Sequence, residues 1–166
     1  MNKKKKISVV IACYKDEKAI PVMHKRLKET FKKIPVDFEI IFVNDGSPDN
    51  TTKILEELCK KDKKVKAIIH SRNFSSQNAF TSGMENSSGD AVVIMDGDLQ
   101  DPPEIIEKLY YKWKEGYDIV FGNRIKREAS FILNFSYKFF YRLFNKLSYI
   151  KIPHDAGDFS LMDRKV

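Results

Sequence analysis

The sequence has little cysteine or histidine and no long apolar run. It contains two cysteines, Cys13 and Cys59, and three scattered histidines. Because the two thiols lack metal-ligand spacing, they exclude a zinc ribbon and a disulfide framework, and they favour an intracellular environment. No stretch approaches the roughly 18 apolar residues that a membrane span needs. The short apolar run behind the N-terminal lysines also lacks the cleavage site of a secretory signal peptide.

The composition is that of a basic globular protein. The chain has 166 residues, of which 42% are apolar, and this is enough for one domain with a real core. The formal net charge of +7 suits an anionic partner such as a nucleotide, a phospholipid surface or a nucleic acid. Because no nucleic-acid-binding motif accompanies the charge, we expect no nucleic acid partner. The lysine runs at 3–6 and 60–66 are typical of solvated surface.

Apolar segments and amphipathic segments alternate along the chain. Strands are predicted at 7–13, 38–43, 65–70, 91–95 and 117–121, and helices lie between them. Ser47-Pro48 predicts a capped start for the second helix, and Asp101-Pro102-Pro103-Glu104 predicts one for the fourth. Alternation of this kind implies an α/β fold with a mostly parallel sheet and helices on both faces.

Five carboxylates follow three of the predicted strands: Asp16, Glu17, Asp45, Asp96 and Asp98. Ligands of open α/β sheets bind at the carboxyl ends of the strands, so we expect these side chains to converge there. Carboxylates packed so closely repel each other unless a cation joins them. In Asp96-Gly97-Asp98 both side chains can face the same way, and Mg²⁺ or Mn²⁺ prefers such oxygen ligands together with phosphates. The alternative is that they serve as turn and helix-start residues.

The motifs resemble those of a known family. Segment 95–104, Met-Asp-Gly-Asp-Leu-Gln-Asp-Pro-Pro-Glu, is the most specific, and segments 9–17, 43–51, 71–90, 117–127 and 155–166 match in order. The chain resembles the family 2 inverting glycosyltransferases, which have the Rossmann-like GT-A fold. It is most similar to polyprenyl-phosphate sugar transferases, such as dolichol-phosphate mannose synthases and bacterial undecaprenyl-phosphate glucosyltransferases.

The resemblance implies a function and a role for each matching residue. A sugar would move from a nucleotide-diphosphate sugar to a polyprenyl phosphate, with Mg²⁺ or Mn²⁺ as cofactor. The donor would be a UDP-sugar by default, with GDP-mannose possible. The implied nucleotide-binding residues are Tyr14, Asp16, Glu17, Asp45 and Asp96, and the sugar- or phosphate-binding residues are Arg72, Asn73, Arg124 and Arg127. The implied metal site is Asp98 with Asp96 and Gln100. The implied catalytic pair is Asp98 and the acceptor-site Asp158.

Three departures from the family motifs bear on this interpretation. Lys15 stands where asparagine is usual, and Ser75-Ser76 stand where a glycine and a larger polar residue are usual. Ser160 replaces an arginine, which removes a phosphate contact. A sugar hydroxyl in polysaccharide, O-antigen or teichoic-acid synthesis is therefore the alternative acceptor. A non-catalytic sugar-nucleotide-binding module is the alternative from another functional class.

Residues 131–150 are rich in aromatic side chains. Thirteen of these 20 residues are apolar, and Lys138, Arg142 and Lys146 form a separate basic stripe. The pattern predicts an amphipathic helix lying in an anionic membrane surface, or else packed on the protein's own core. We expect one domain over 1–166, located peripherally on the cytoplasmic face of the membrane. Relatives continue into further helices, so we also expect residues beyond Val166 in the natural protein.

Overall fold

The computed structural model describes residues 4–123 and 156–166. Its described residues up to 121 and from 158 onward belong to one compact unit. The predicted single domain over 1–166 and the predicted helix over 131–150 include residues outside the described ranges, so both stay predictions. Within those ranges no helix combines the length and the apolar character that crossing a bilayer requires.

Six strands and four α-helices follow each other along the described chain. The strands are β1 (Lys6–Cys13), β2 (Asp37–Asn44), β3 (Val65–Ile69), β4 (Ala91–Asp96), β5 (Ile119–Asn123) and β6 (Ala156–Asp163). The helices are α1 (Ala19–Phe31), α2 (Thr51–Lys61), α3 (Ser76–Glu85) and α4 (Ile106–Lys114).

The strands form one sheet in the order β3-β2-β1-β4-β6-β5. Strand β1 is parallel to both of its neighbours, and Val9 pairs with Ile40 of β2 and with Val93 of β4. The chain adds β2 and β3 on one side of β1 and then returns to add β4 on the other side. The carboxyl ends of β1 and β4 therefore flank a topological switch point, which is where open α/β sheets bind ligands.

Helices cover both faces of the sheet, as the sequence predicts. Ile7, Val9 and Ile11 of β1 belong to a core cluster that includes side chains of α1, α2 and α4. Val10 and Ala12 belong to a second cluster, with side chains of α3. Because successive strand residues point to opposite faces, one apolar strand supplies both cores.

The predicted start of the second helix at Ser47-Pro48 is wrong. Helix α2 begins at Thr51. The Ser47 N–H donates to Asn44 Oδ1 at 2.9 Å, and the Ser47 hydroxyl accepts from the Lys15 N–H at 3.0 Å. Ser47 therefore ties the β2 turn to the loop after β1 and is not available as a helix cap.

The start of the fourth helix also differs from the prediction. Pro102, not Asp101, occupies the N-cap position, and a short 3₁₀ turn (Pro103–Ile105) precedes α4. Glu104 does not complete a capping box, because its carboxylate receives two hydrogen bonds from Arg26, at 2.9 and 2.6 Å. The glutamate joins this turn to α1.

Strand β6 was not predicted from the sequence. It runs antiparallel to β4, with Ser160 opposite Ile94 and Asp163 opposite Ala91. Asp163 Oδ2 also accepts from Trp113 Nε1 of α4 at 2.7 Å. The sheet is thus mostly parallel but includes an antiparallel strand next to β4.

Candidate active site

A cleft opens at the carboxyl ends of β1, β2 and β4. Its volume is about 210 Å³, and it contains four of the five predicted carboxylates. The lining residues are Ala12, Cys13, Tyr14, Asp16, Asp45, Asn73, Ser76, Asp96, Gly97 and Asp98. The sequence-predicted residues Tyr14, Asp16, Asp45, Asn73, Asp96 and Asp98 therefore lie together, whereas Cys13 and Ser76 were not predicted to take part.

Gly97 lets the loop after β4 close onto the end of β1. Its N–H donates to the Ala12 carbonyl at 2.9 Å. A Cβ atom at this position would lie 2.9 Å from Cys13 Sγ and 3.1 Å from Asp16 Oδ2. Only glycine fits without displacing these atoms, so it keeps the flanking aspartates, Asp96 and Asp98, near Asp16.

The cleft carries an excess of negative charge. Burial raises the pKa of Asp16; the Tyr14 N–H, which donates to this carboxylate at 2.9 Å, opposes the rise, and the charge of Asp98 adds to it. Burial also raises the pKa of the Cys13 thiol well above its ordinary value, and the charges of Asp16 and Asp96 add to this. Cys13 therefore stays protonated and is a poor nucleophile. A cation bound in the cleft would relieve the repulsion.

Asp45 is the most enclosed of these carboxylates, with 3% of its surface exposed. Its Oδ1 atom accepts from His70 Nδ1 at 2.8 Å and from the Phe74 N–H at 2.9 Å. The next residue, Gly46, has φ +67°, and a Cβ atom there would lie 2.4 Å from the Arg72 carbonyl carbon. The β2 turn is therefore pressed against the loop that follows β3.

Glu17 lies in a separate pocket next to the cleft. This pocket has a volume of about 370 Å³, and it shares the lining residues Asp16 and Asp98 with the cleft. Glu17 Oε2 accepts from the Asn50 backbone N–H at 3.0 Å. Asp49, which the sequence did not single out, also lines this pocket. Its place two residues before the start of α2 gives no separate signal in the sequence.

The remaining predicted residues lie outside the cleft lining. The Arg72 guanidinium lies over the Phe74 ring, with Cζ 4.3 Å from the ring centroid. Gln100 donates its backbone N–H to Asp98 Oδ1 at 2.9 Å. Asp158 is exposed on β6, two residues before Ser160, and thus lies toward the end of β4 that bears Asp96. Arg124 and Arg127 are outside the described residues.

The carboxylates fit a metal ion that is shared with a substrate. In residues 4–123 and 156–166 no group of three or more histidine, cysteine or acidic side chains is arranged to hold an ion alone. Mg²⁺ is usually held by one or two carboxylates and completes its shell with water and substrate phosphates. Asp98 and Asp96 can supply such a pair, because both line the cleft on either side of Gly97.

Comparison with known sequences places the chain in a family. The model of "Glycosyl transferase family 2" matches residues 8–166. An uncharacterized glycosyltransferase of Bacillus subtilis, YkcC, is 46% identical over 160 residues, which are 96% of this chain and 50% of that protein. The bactoprenol glucosyl transferase of Shigella phage SfV is 41% identical over 162 residues, covering 97% of this chain and 53% of the relative. The chain thus spans about half the length of these relatives.

Solved structures agree with this assignment at the level of the fold. One is the glucosyl-3-phosphoglycerate synthase of Mycobacterium tuberculosis in complex with Mn²⁺, UDP and glucosyl-3-phosphoglycerate. It superimposes with a TM-score of 0.68 at 18% identity, over 97% of this chain and 57% of that chain. The strand order, the cleft at the switch point and the family match lead to one conclusion: the chain belongs to glycosyltransferase family 2 and has the GT-A fold.

Proposed function

We propose that this chain transfers glucose from UDP-glucose to a polyprenyl phosphate, with inversion at the anomeric carbon. The observation that carries the proposal is the convergence of Asp16, Asp45, Asp96 and Asp98 on one cleft at the switch point of the sheet. A relative named bactoprenol glucosyl transferase, 41% identical, supports glucose as the sugar and a polyprenyl carrier as the acceptor.

The side chains of the cleft would divide the donor between them. Tyr14, 43% exposed, offers a ring on which a base can stack, and Asp45 offers a buried acceptor for a base N–H. Asp98 and Asp96 would hold Mg²⁺ or Mn²⁺, with Gln100 beside them. The ion, when bound, neutralises the charge that develops on the departing diphosphate. Asn73 lies in the lining where the sugar or a phosphate would contact it.

The acceptor would attack in line, opposite the leaving diphosphate, so the protein's main task is alignment. A phosphate acceptor is already largely ionised near neutrality, since its second pKa is about 6. It therefore needs little help from a general base. Arg124 and Arg127 would meet the phosphates, and the basic stripe at Lys138, Arg142 and Lys146 would meet an anionic membrane surface, where the carrier lies.

A direct assay supplies UDP-[¹⁴C]glucose and Mn²⁺ to the full chain, with either undecaprenyl phosphate in mixed micelles or a soluble glycan as acceptor. The proposal predicts label in the organic phase, released by mild acid as free glucose. Label that enters only the glycan would establish the hydroxyl-acceptor alternative. UDP binding without transfer to either acceptor would favour a non-catalytic module.

The Asp158→Asn variant distinguishes the two acceptor classes through proton chemistry. With a phosphate acceptor we expect turnover to fall by less than about tenfold and the pH profile to keep its shape. A hydroxyl acceptor needs a base, whose removal costs about 10²–10⁴-fold. Asp118→Asn is the control, because Asp118 is another exposed carboxylate and pairs with Lys165. A loss near a thousandfold in Asp158→Asn alone would contradict the phosphate acceptor.

A further inference from the structure

His70 connects the wall of the cleft to helix α3. It follows β3 directly, and its backbone N–H donates to the Asn44 carbonyl at 2.9 Å. Its ring nitrogens bridge two elements: Nδ1 lies 2.8 Å from Asp45 Oδ1, and Nε2 lies 3.0 Å from Ser82 Oγ. The His70 side chain is 12% exposed, so water competes little for either hydrogen bond.

The partners of the ring determine where its proton lies. A carboxylate only accepts hydrogen bonds, so Nδ1 must carry the proton that is shared with Asp45. In the neutral ring Nε2 then accepts from the Ser82 hydroxyl. The Phe74 ring and the imidazole pack in a T-shaped arrangement, with the ring centroids 5.5 Å apart. Two hydrogen bonds and one aromatic contact thus fix the plane of His70 and, through it, the orientation of Asp45.

The hydrogen bonds to Asp45 all use the same oxygen. Both His70 Nδ1 and the Phe74 N–H donate to Oδ1. Within the described chain, Thr51 Oγ1 is the one side-chain polar atom that is both fully buried and without a partner. No described group donates to Asp45 Oδ2, so this atom would be a second such case if it were fully buried. It is therefore accessible, from the cleft that Asp45 lines.

We propose that His70, with Ser82 behind it, is a positioning residue that holds Asp45 so that Oδ2 receives the N–H of the donor's base. The inference rests on the proposed function, since it assumes that the cleft binds a nucleotide. One accessible oxygen matches uracil, whose imide has a single N–H at N3. Guanine offers two adjacent donors, and the second would meet Oδ1, which already accepts two hydrogen bonds. The arrangement therefore favours uridine over guanosine nucleotides.

The experiment measures how strongly His70 is coupled to the base N–H. Calorimetry with the full chain and Mn²⁺ compares UDP with N3-methyl-UDP, which lacks that N–H, and with GDP. His70→Leu removes the donor to Asp45, His70→Asn keeps a donor nitrogen near the Nδ1 position, and Ser82→Ala removes the support behind the ring. His24→Leu is the matched control, because His24 is also largely buried and pairs with a carboxylate, Asp62 at 3.0 Å, away from the cleft.

For the wild type and the control we expect N3-methylation to weaken binding by at least about tenfold, a loss typical of one good hydrogen bond. In His70→Leu, UDP itself should bind about tenfold more weakly and the methylation penalty should shrink below about threefold. His70→Asn should recover most of both effects, and Ser82→Ala should be intermediate. A purely structural role would lower the melting temperature without changing the methylation penalty.

Two results would overturn the inference, and they are distinguishable. If the wild type binds UDP but His70→Leu keeps the full methylation penalty, His70 does not position Asp45, and the proposed function stands. If the wild type binds neither UDP nor GDP, the proposed function fails together with the inference.

Discussion

Three non-glycine residues with left-handed backbone lie in the loops around the cleft. Within the described chain they are Lys15, Ser75 and Leu99, with φ values of 64°, 79° and 68°. Lys15 and Ser75 occupy the positions where the family motifs usually have asparagine and glycine, the residues that best tolerate positive φ. Ser75 also has ψ 157°, a region almost restricted to glycine. Lys15 and Ser75, which depart from the family motifs, therefore place strained backbone next to the cleft.

Replacing Ser75 with glycine should relieve this strain. We expect Ser75→Gly to raise the free energy of unfolding by about 1 kcal/mol. Relief of backbone strain of this kind is worth about 1–3 kcal/mol, and the greater conformational entropy of glycine in the unfolded chain offsets part of that gain. Ser71→Gly is the control, because Ser71 is exposed in the same loop without positive φ; it should be neutral or destabilising. Urea unfolding measures both. Equal effects of the two substitutions would show that the backbone of Ser75 is not strained.

Glu39 is a buried carboxylate at the opposite end of the sheet from the cleft. It is 3% exposed, and it accepts from the Ser8 hydroxyl at 2.6 Å and from the Ser88 N–H at 2.7 Å. Lys66 Nζ lies 2.9 Å away and Lys6 Nζ 3.1 Å away. Burial raises the pKa of Glu39, but the hydrogen bonds from Ser8, Lys66 and Ser88 outweigh it and hold the pKa far below its usual range.

This shift makes stability depend on pH in a defined direction. A glutamate in the unfolded chain titrates near pH 4.3, so Glu39 stabilises the fold fully above that pH and progressively less as the pH falls toward its folded pKa. We expect Glu39→Gln to lower the free energy of unfolding by about 1–3 kcal/mol at pH 7, and by less at pH 3. Urea titrations at both pH values test this, with the exposed Glu57→Gln as control. A constant difference between wild type and variant would contradict it.

The sequence predicted the acidic residues of the cleft but not the side chains that bind them. Asp16, Asp45, Asp96 and Asp98 follow strands, so the topology alone brings them together. His70 could not be assigned to Asp45, because 25 residues separate them and nothing local marks the contact. The turn at Gly46 and the loop after β3 meet only in the folded sheet.

Helix α3 packs closely on the sheet. Gly83 faces β1, and a Cβ atom there would lie 2.2 Å from Val10 Cγ1 and 3.1 Å from Val43 Cγ2. The absence of a side chain therefore sets the distance between helix and sheet. The first residue of α3, Ser76, lines the cleft, so this distance also affects the site.

Gly83→Ala should be destabilising although alanine is the better helix former. The added methyl group forces α3 away from the sheet, at a cost of about 1–3 kcal/mol, which exceeds the gain in helix propensity of about 1 kcal/mol. Thr81→Ala, on the exposed side of the same helix, should change stability by less than about 0.5 kcal/mol. Urea unfolding compares the two variants. A Gly83→Ala protein as stable as the wild type would show that the helix can shift freely.

Periodicity predicted the existence of the elements better than their limits. Five strands and four helices follow apolar patterns, because burial on one or both faces determines those patterns. The start of α2 was misplaced because Ser47 uses its polar atoms in a tertiary contact with Lys15. Strand β6 was missed because its sequence, Ala-Gly-Asp-Phe-Ser-Leu-Met-Asp, includes a glycine and two aspartates, which are rare in strands, and only a short apolar alternation at Phe159 and Leu161.

Charge is distributed unevenly over the protein. The chain carries a formal net charge of +7, yet four aspartates line its cleft. A basic exterior attracts anions, whereas four carboxylates close together repel them unless a cation joins the site. This contrast supports the proposal that the donor binds together with a divalent ion held by Asp98.

The most direct measurement is a thermal-unfolding series of the full chain with UDP-glucose, with and without Mn²⁺. A ligand at about 100 times its Kd adds about 2.7 kcal/mol to stability. We predict a clear stabilisation of the wild type and of Asp118→Asn when Mn²⁺ is present, and its loss in Asp98→Asn. Stabilisation that is equal without Mn²⁺ and equal in Asp98→Asn, or no stabilisation of the wild type at all, would show that the donor does not bind together with an ion held by Asp98.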